Sequence, residues 1–158
     1  MKVVVIMGSK ADLDWARKIE EKFKEFEVDV ILRIASAHKT PLKVLEIIKE
    51  YEEDDTVFIT IAGKSNALSG FVDANTTRPV IACPPYSDKF SGFDIFSSLR
   101  MPKGVSPLVV LEPEQAVIST IKIFSIKYPK LKEKLLEYQK KLKEEIEKDD
   151  KEILKEEK

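Results

Sequence analysis

The chain is poor in the residues that build covalent and metal-held frameworks: it has one cysteine, Cys83, and one histidine, His38, among 158 residues. A single thiol excludes an internal disulfide framework and suits a reducing cytoplasm. One imidazole and one thiol also fall short of the usual zinc ligand sets. Carboxylates could assemble a magnesium site, but no spacing among them argues for one. Long apolar runs are missing as well. The opening MKVVVIMGSK holds an apolar run of only five residues before Gly8, too short for a signal peptide's hydrophobic region or a membrane span. That run is expected to be a buried strand instead. Neither sign of charge dominates: 27 basic residues face 28 acidic ones, and a net charge of −1 gives no general attraction to nucleic acid or an anionic membrane. Internal repeats and low-complexity linkers are absent.

A hydrophobic content of 43% supports one domain with one core. Charged residues make up 35% of the chain and its cations are mostly lysine. Lys/Glu enrichment of this kind suits a heat-adapted source, with a solvated C-terminal helix accounting for part of it.

The hydrophobic pattern alternates between two periods. VVVIM (3–7) is a continuous β-branched run, as expected of a strand buried on both faces. Residues 11–25 then place Leu13, Ala16, Ile19 and Phe23 at helical spacing. A second strand is expected over 28–36, and an amphipathic helix over 41–54 with Pro41 in its first turn. A third strand over 56–63 is followed by the helical stretch KSNALSGFVDANT. RPVIACPP (78–85) reads as a fourth strand, ended by two prolines that cannot continue a ladder. A short helix over 91–99 precedes a fifth strand over 106–113, then a helix from about 114 to 126 and a last one after Pro129. Such alternation predicts a three-layer α/β/α sandwich around a parallel, flavodoxin-like or Rossmann-like sheet of about five strands. The last helix carries Leu131, Leu135, Tyr138, Leu142 and Ile146 on one narrow stripe opposite a charged face. It can pack on its own domain or project as an arm onto a neighbouring subunit.

In parallel sheets ligands bind outside the carboxyl ends of the strands, so the segments following each strand carry the interest. MGSKAD comes first. Gly8 allows a tight turn and close backbone approach, Ser9 can cap the next helix, and its exposed N–H groups can hold a phosphate. Asp12 can hold ribose hydroxyls or simply favour the helix start. The segment matches neither G-x-G-x-x-G nor G-x-x-x-x-G-K-[ST], which disfavours a dinucleotide or a P-loop triphosphate. SAHKTP comes second. His38 can be an ordinary loop histidine bonded to backbone, but its place after a strand, its small neighbours and the adjacent Lys39 favour a ligand site. An imidazole can accept and return a proton near neutral pH, and Lys39 supplies charge for a phosphate or carboxylate. AGKSN comes third. Gly63 permits close approach, Lys64 offers a cation, and Ser65 and Asn66 offer donors; alternatively this is a plain helix cap. Cys83, in an apolar run before Pro84, reads as a buried small hydrophobe rather than a nucleophile.

MGSKAD, SAHKTP, AGKSNALSGFVDANTTRPVIACPP and SSLRMPKGVSPLVVLEP occur in an order that resembles the phosphoribosylaminoimidazole (AIR) carboxylase family of purine biosynthesis, over about residues 3 to 126. The resemblance implies a catalytic domain over 1–126 and a charged C-terminal helix over 127–158, an intersubunit arm in a homo-octamer with sites at subunit boundaries. Of the family's two branches, one shifts a carboxyl group within N5-carboxyaminoimidazole ribonucleotide and carries a second histidine in a loop of the form GAAHLPG. Here that stretch reads AGKSNALSG without histidine, SAHK replaces the usual SAHR, and VIACPP and SSLRMP look like the second branch. That branch joins AIR and CO2 directly to 4-carboxy-AIR, without ATP, biotin or metal. One departure is Lys64, where arginine is usual; it keeps the charge and loses the bidentate fork.

By the same resemblance His38 moves the C4 proton. Ser9, Asp12 and Lys39 hold the ribose phosphate, Gly8 and Ser36 shape the pocket, and Lys64, Ser65 and Asn66 contact CO2 or the new carboxylate. The rivals are the mutase on the same fold and a non-catalytic flavodoxin-like module. A receiver would need clustered acids after the first strand, where this chain has Met-Gly-Ser, and a flavodoxin would need a Ser/Thr-rich phosphate loop there. An interaction protein built around the tail leaves the cleft residues without a purpose.

Overall fold

The computed structural model describes residues 1–53 and 55–156, with Glu156 described in its backbone alone. Five strands, β1 (Lys2–Met7), β2 (Val30–Ile34), β3 (Thr56–Ile61), β4 (Val80–Ala82) and β5 (Leu108–Val109), form one sheet in the order β2-β1-β3-β4-β5. Every pairing is parallel. Six α-helices accompany them: α1 (Leu13–Lys24), α2 (Pro41–Tyr51), α3 (Leu68–Asp73), α4 (Phe96–Leu99), α5 (Pro113–Ser125) and α6 (Pro129–Glu156). The expected α/β architecture with a long last helix is therefore the observed one.

β1 and β3 are buried along almost their whole lengths, which is why their sequences are continuous rather than alternating. Side chains still alternate between the faces. Val4, Ile6 and Phe58 pack in one cluster with Val44, Ile47 and Ile48 of α2 and Leu68 and Val72 of α3. Val3, Val5 and Met7 point the other way, and the buried stripe of α1, Ala16, Ile19 and Phe23, lies outside that cluster. Helices thus cover both faces of the sheet.

Several elements are shorter than their sequence suggested, each for a local reason. Residue 28 still belongs to the end of α1. Val28 N–H donates to Phe23 O (3.2 Å) and Glu27 N–H to Lys24 O (3.0 Å), with Glu27 at φ 56°. This is a Schellman closure with glutamate where glycine is usual. β4 stops at Ala82 because Pro84 and Pro85 have no N–H to offer a ladder, although Cys83 N–H still donates to Thr60 O at 2.9 Å. Instead of a plain helix over 91–99, residues 89–95 form a 3-10 segment interrupted by left-handed Phe90, Ser91 and Gly92, and only then does α4 begin.

The chain falls into two compact units, Met1–Thr120 and Ile121–Lys158. The first holds the whole sheet. In the second, Phe124 stacks edge-on against Tyr128 at a centroid distance of 6.2 Å, while along α6 burial fades from Leu131 and Leu135 to exposed Leu142 and Ile146. No helix among the described residues is long and apolar enough to cross a membrane.

Cys83 is fully buried, and burial pushes its thiol up from 9.0 to about 12. The thiolate is the reactive form, so Cys83 should resist an aromatic disulfide reagent at pH 8 in the folded protein and react fully in denaturant. Rapid labelling of the native protein would contradict this burial.

Candidate active site

The sheet order places a reversal between β1 and β3: the chain moves outward from β1 to β2, then returns to build β3, β4 and β5 on the other side. Two loops leave the sheet in opposite directions there and open a cleft at the carboxyl ends of the strands. A cavity of about 490 Å³ occupies that position. It is large enough for a nucleotide-sized ligand.

The β1 loop is tightly braced. Ser9 Oγ accepts from Ala11 N–H (3.2 Å), while the Asp12 carboxylate accepts from Ser9 N–H (3.0 Å) and Ser9 Oγ (3.2 Å). This capping box starts a short 3-10 turn, Lys10–Asp12, which runs into α1. Burial raises the Asp12 carboxyl above its ordinary value of 3.8, opposed by both Ser9 hydrogen bonds and by the Lys64 charge. Lys64, 52 residues further on, is thus an electrostatic neighbour of Asp12.

The β2 loop closes on itself. Thr40 N–H donates to Ser36 O (2.8 Å), Ser36 N–H to Thr40 Oγ1 (2.9 Å) and Lys39 N–H to Ser36 Oγ (3.3 Å). Ala37 and His38 form the crest of that turn, so the histidine is presented by a loop whose polar backbone is already satisfied. Its imidazole has no hydrogen-bond partner among the described residues, and it lines the cavity.

The β3 loop carries a left-handed lysine, Lys64 at φ 60°. Such a backbone costs a non-glycine residue of order 1–3 kcal/mol and needs surrounding structure to hold it. Ser97 supplies that hold. Its Oγ lies 2.9 Å from Lys64 O and 2.7 Å from Asp94 O, and it accepts Asn66 N–H at 2.9 Å.

Of the expected site residues, Gly8, Ser9, Asp12, Ser36, His38, Lys39, Gly63, Lys64 and Ser65 all line the one cavity. Asn66 does not. It is buried, its Nδ2 donates to Ser98 Oγ (2.9 Å), and its Oδ1 accepts Ser69 N–H (3.2 Å) in the first turn of α3. Asn66 takes the helix-capping role that the sequence also allowed.

A family model described as AIR carboxylase matches residues 2–145, and these include the whole cavity lining. The chain belongs to the AIR carboxylase family. It is 61% identical over 153 residues to the phosphoribosylaminoimidazole carboxylase of Archaeoglobus fulgidus, an alignment covering 97% of this chain and 85% of that protein. To the phosphoribosylaminoimidazole carboxylase of Treponema denticola it is 52% identical over 126 residues, covering 78% of this chain and 79% of that protein. The solved structure of Treponema denticola PurE superposes with a TM-score of 0.92 at 45% identity, covering 95% of this chain and 96% of that one.

Sequence reasoning did not assign Pro85, Tyr86, Ser87 or Asp94, which also line the cavity. The first three follow β4, at the carboxyl end of a parallel strand where ligand contacts are expected. Tyr86 is held from behind: its ring meets Trp15 edge-on at 5.5 Å, and its hydroxyl donates to Glu112. That hydrogen bond, ahead of burial, raises the tyrosine's proton affinity. Asp94 was hidden by the expectation of an unbroken helix over 91–99. The one local signal against that helix is Gly92.

The raised Asp12 carboxyl has a consequence for stability. Between 3.8 and its raised value the folded chain binds more protons than the unfolded one, so stability falls as pH rises through that window. Asp12→Asn should then be at least as stable as wild type at pH 7, with the difference narrowing as pH falls towards about 4. Urea midpoints at both pH values test this, and a clear loss at pH 7 would contradict it.

Proposed function

We propose that this chain joins AIR and CO2 directly to give 4-carboxy-AIR, with His38 carrying the C4 proton. The observation that carries this reading is a single histidine, the only one in the chain, lining the same cavity as Ser9, Asp12, Lys39, Lys64 and Ser65 in a member of the AIR carboxylase family. The mutase branch carries a second histidine in the loop that here reads AGKSN, and this chain has none to supply.

The chemistry asks little beyond these groups. The exocyclic amine makes C4 of AIR enamine-like, so it can attack CO2 once both are held in one closed cavity. Attack leaves C4 bearing both hydrogen and carboxylate, and aromaticity returns when that proton leaves. A histidine is suited to accept it and pass it to solvent. The braced turn of Ser9 and Asp12, with Lys39, would hold the ribose phosphate through N–H groups and charge. Lys64 and Ser65 would meet CO2 and the carboxylate, a preorganised cation where negative charge develops. The nucleophile is already present in AIR, so this reading needs no ATP, biotin or metal.

The same reading includes a homo-octamer, with α6 as an arm between subunits. Exposed apolar side chains beside the cavity, Phe90, Phe93 and Phe96, and along α6, Leu142 and Ile146, support assembly, because large apolar surface of this kind is normally covered. Light scattering on the purified protein should give a mass several times that of one chain.

Turnover of AIR with CO2-rich bicarbonate, without ATP, tests the reaction against freshly made N5-carboxyaminoimidazole ribonucleotide. Product from AIR and CO2 with no direct use of the carbamate is expected; efficient use of the carbamate would make this a mutase. His38→Asn should lower turnover by roughly a hundred- to ten-thousand-fold while AIR binding by calorimetry stays close to wild type. Rates like those of the unaltered enzyme would end the proton-transfer role.

A further inference from the structure

Besides Tyr86, five ionisable side chains line the cavity: Asp12, His38, Lys39, Lys64 and Asp94. The reading above gives work to the first four. We infer that the fifth, Asp94, faces the aminoimidazole ring and balances the positive charge that develops on it as C4 attacks CO2.

The inference rests on the proposed carboxylation and begins with an electrostatic difficulty. This cavity must admit a phosphate dianion and produce a carboxylate, and an unpaired acid in its wall repels both. Asp12 is at least engaged within the protein: Ser9 N–H and Oγ both donate to its carboxylate, and the Lys64 charge lies near it. Asp94 is half-buried, and its carboxylate accepts no hydrogen bond and joins no ion pair among the described residues. A fixed, unpaired carboxylate is favourable there only if the ligand brings something cationic to it.

The reaction brings one such group. When the C4 electron pair forms the new bond to the carbon of CO2, one C=O pair moves onto oxygen and makes a carboxylate. The electrons pushed into C4 come from the exocyclic amine and ring nitrogen, which share the resulting positive charge as an amidinium. Loss of the C4 proton to His38 returns the pair to the ring and removes that charge. Net, AIR and CO2 give 4-carboxy-AIR and one proton. The intermediate is thus a zwitterion, negative at the new carboxyl group and positive at the amine. Lys64 answers the first and Asp94 the second.

The fold holds these two residues in register. The Ser97 hydroxyl lies against both the Lys64 and the Asp94 carbonyl oxygens, tying the loop after β3 to the segment before α4. The left-handed run of Phe90, Ser91 and Gly92 turns the chain just ahead of Asp94. Asp94 also lines a smaller adjoining cavity of about 190 Å³, walled by Ala62, Pro84, Ile95 and Leu111, so it sits where the two spaces meet. A preorganised pair of opposite charges at a zwitterionic intermediate acts most strongly in the transition state, so its removal should lower kcat more than it raises KM.

The test compares wild type, Asp94→Asn and Asp94→Glu for turnover of AIR and CO2, with AIR affinity by calorimetry and folding by thermal melt. Asp94→Asn keeps the shape and loses the charge. Its kcat should fall on the order of 10- to 1000-fold with AIR affinity within about threefold of wild type, and Asp94→Glu should recover part of the loss. A kcat within threefold of wild type, a loss confined to KM, or no recovery in Asp94→Glu would overturn the inference. Should Asp94→Asn fail to fold, Asp94→Ser removes the same charge and is read by the same criteria. Wild-type protein inactive on AIR and CO2 would overturn the carboxylation reading, and this inference with it. Active wild type with an indifferent Asp94→Asn would overturn the inference alone.

Discussion

The site depends on the last rungs of the central parallel ladder. Gly8 N–H donates to Ile61 O at 2.8 Å and Ala35 N–H to Met7 O at 2.9 Å, so three strands end within one hydrogen-bonded row. From that row three loops leave together, carrying Ser9 and Asp12, Ser36 to Lys39, and Gly63 to Ser65. Their ligand groups are distant in sequence and close in space because buried β-branched strands leave the ladder little room to slip. A slip of one residue would turn Val4, Ile6 and Phe58 away from the cluster they form with α2 and α3.

On this framework the loops spend their own polar groups on themselves. Ser36 and Thr40 bond each other, Ser9 bonds Asp12, and Ser97 gathers Lys64, Asp94 and Asn66. The backbone is thereby satisfied without the ligand. In the proposed reaction His38, Lys39 and Lys64 would then act from supports that need not reorganise when substrate arrives. The left-handed Lys64 is a local expense that the Ser97 hydroxyl helps to offset.

Charge in the cavity is balanced in kind. In the proposed reaction two lysines would meet the phosphate and the new carboxyl group, Asp12 is hydrogen-bonded by Ser9, and Asp94 would meet the developing cation. A cavity serving only as an anion site would not place an unpaired acid in its wall.

Much of this was written in the chain. Continuous runs such as VVVIM suit burial between two helical layers, and small polar loops after such runs mark a ligand cleft, so the sheet and the loop residues of the cavity after β1, β2 and β3 could be read directly. The lone His38 was legible for the same reason: strand, small residues, imidazole, cation. Asn66 and Asp94 were not. A cap and a ligand contact use the same amide side chain, and only the packing of residues 97 and 98 against the loop after β3 turns Asn66 inward. Asp94 lies in a stretch with helical composition, and only the left-handed turn through Gly92 brings it to the cavity. Local pattern thus determined the strands and marked His38 as the candidate proton carrier. The tertiary structure alone decided which polar side chains face the cavity, because that choice depends on hydrogen bonds made across more than thirty residues of sequence.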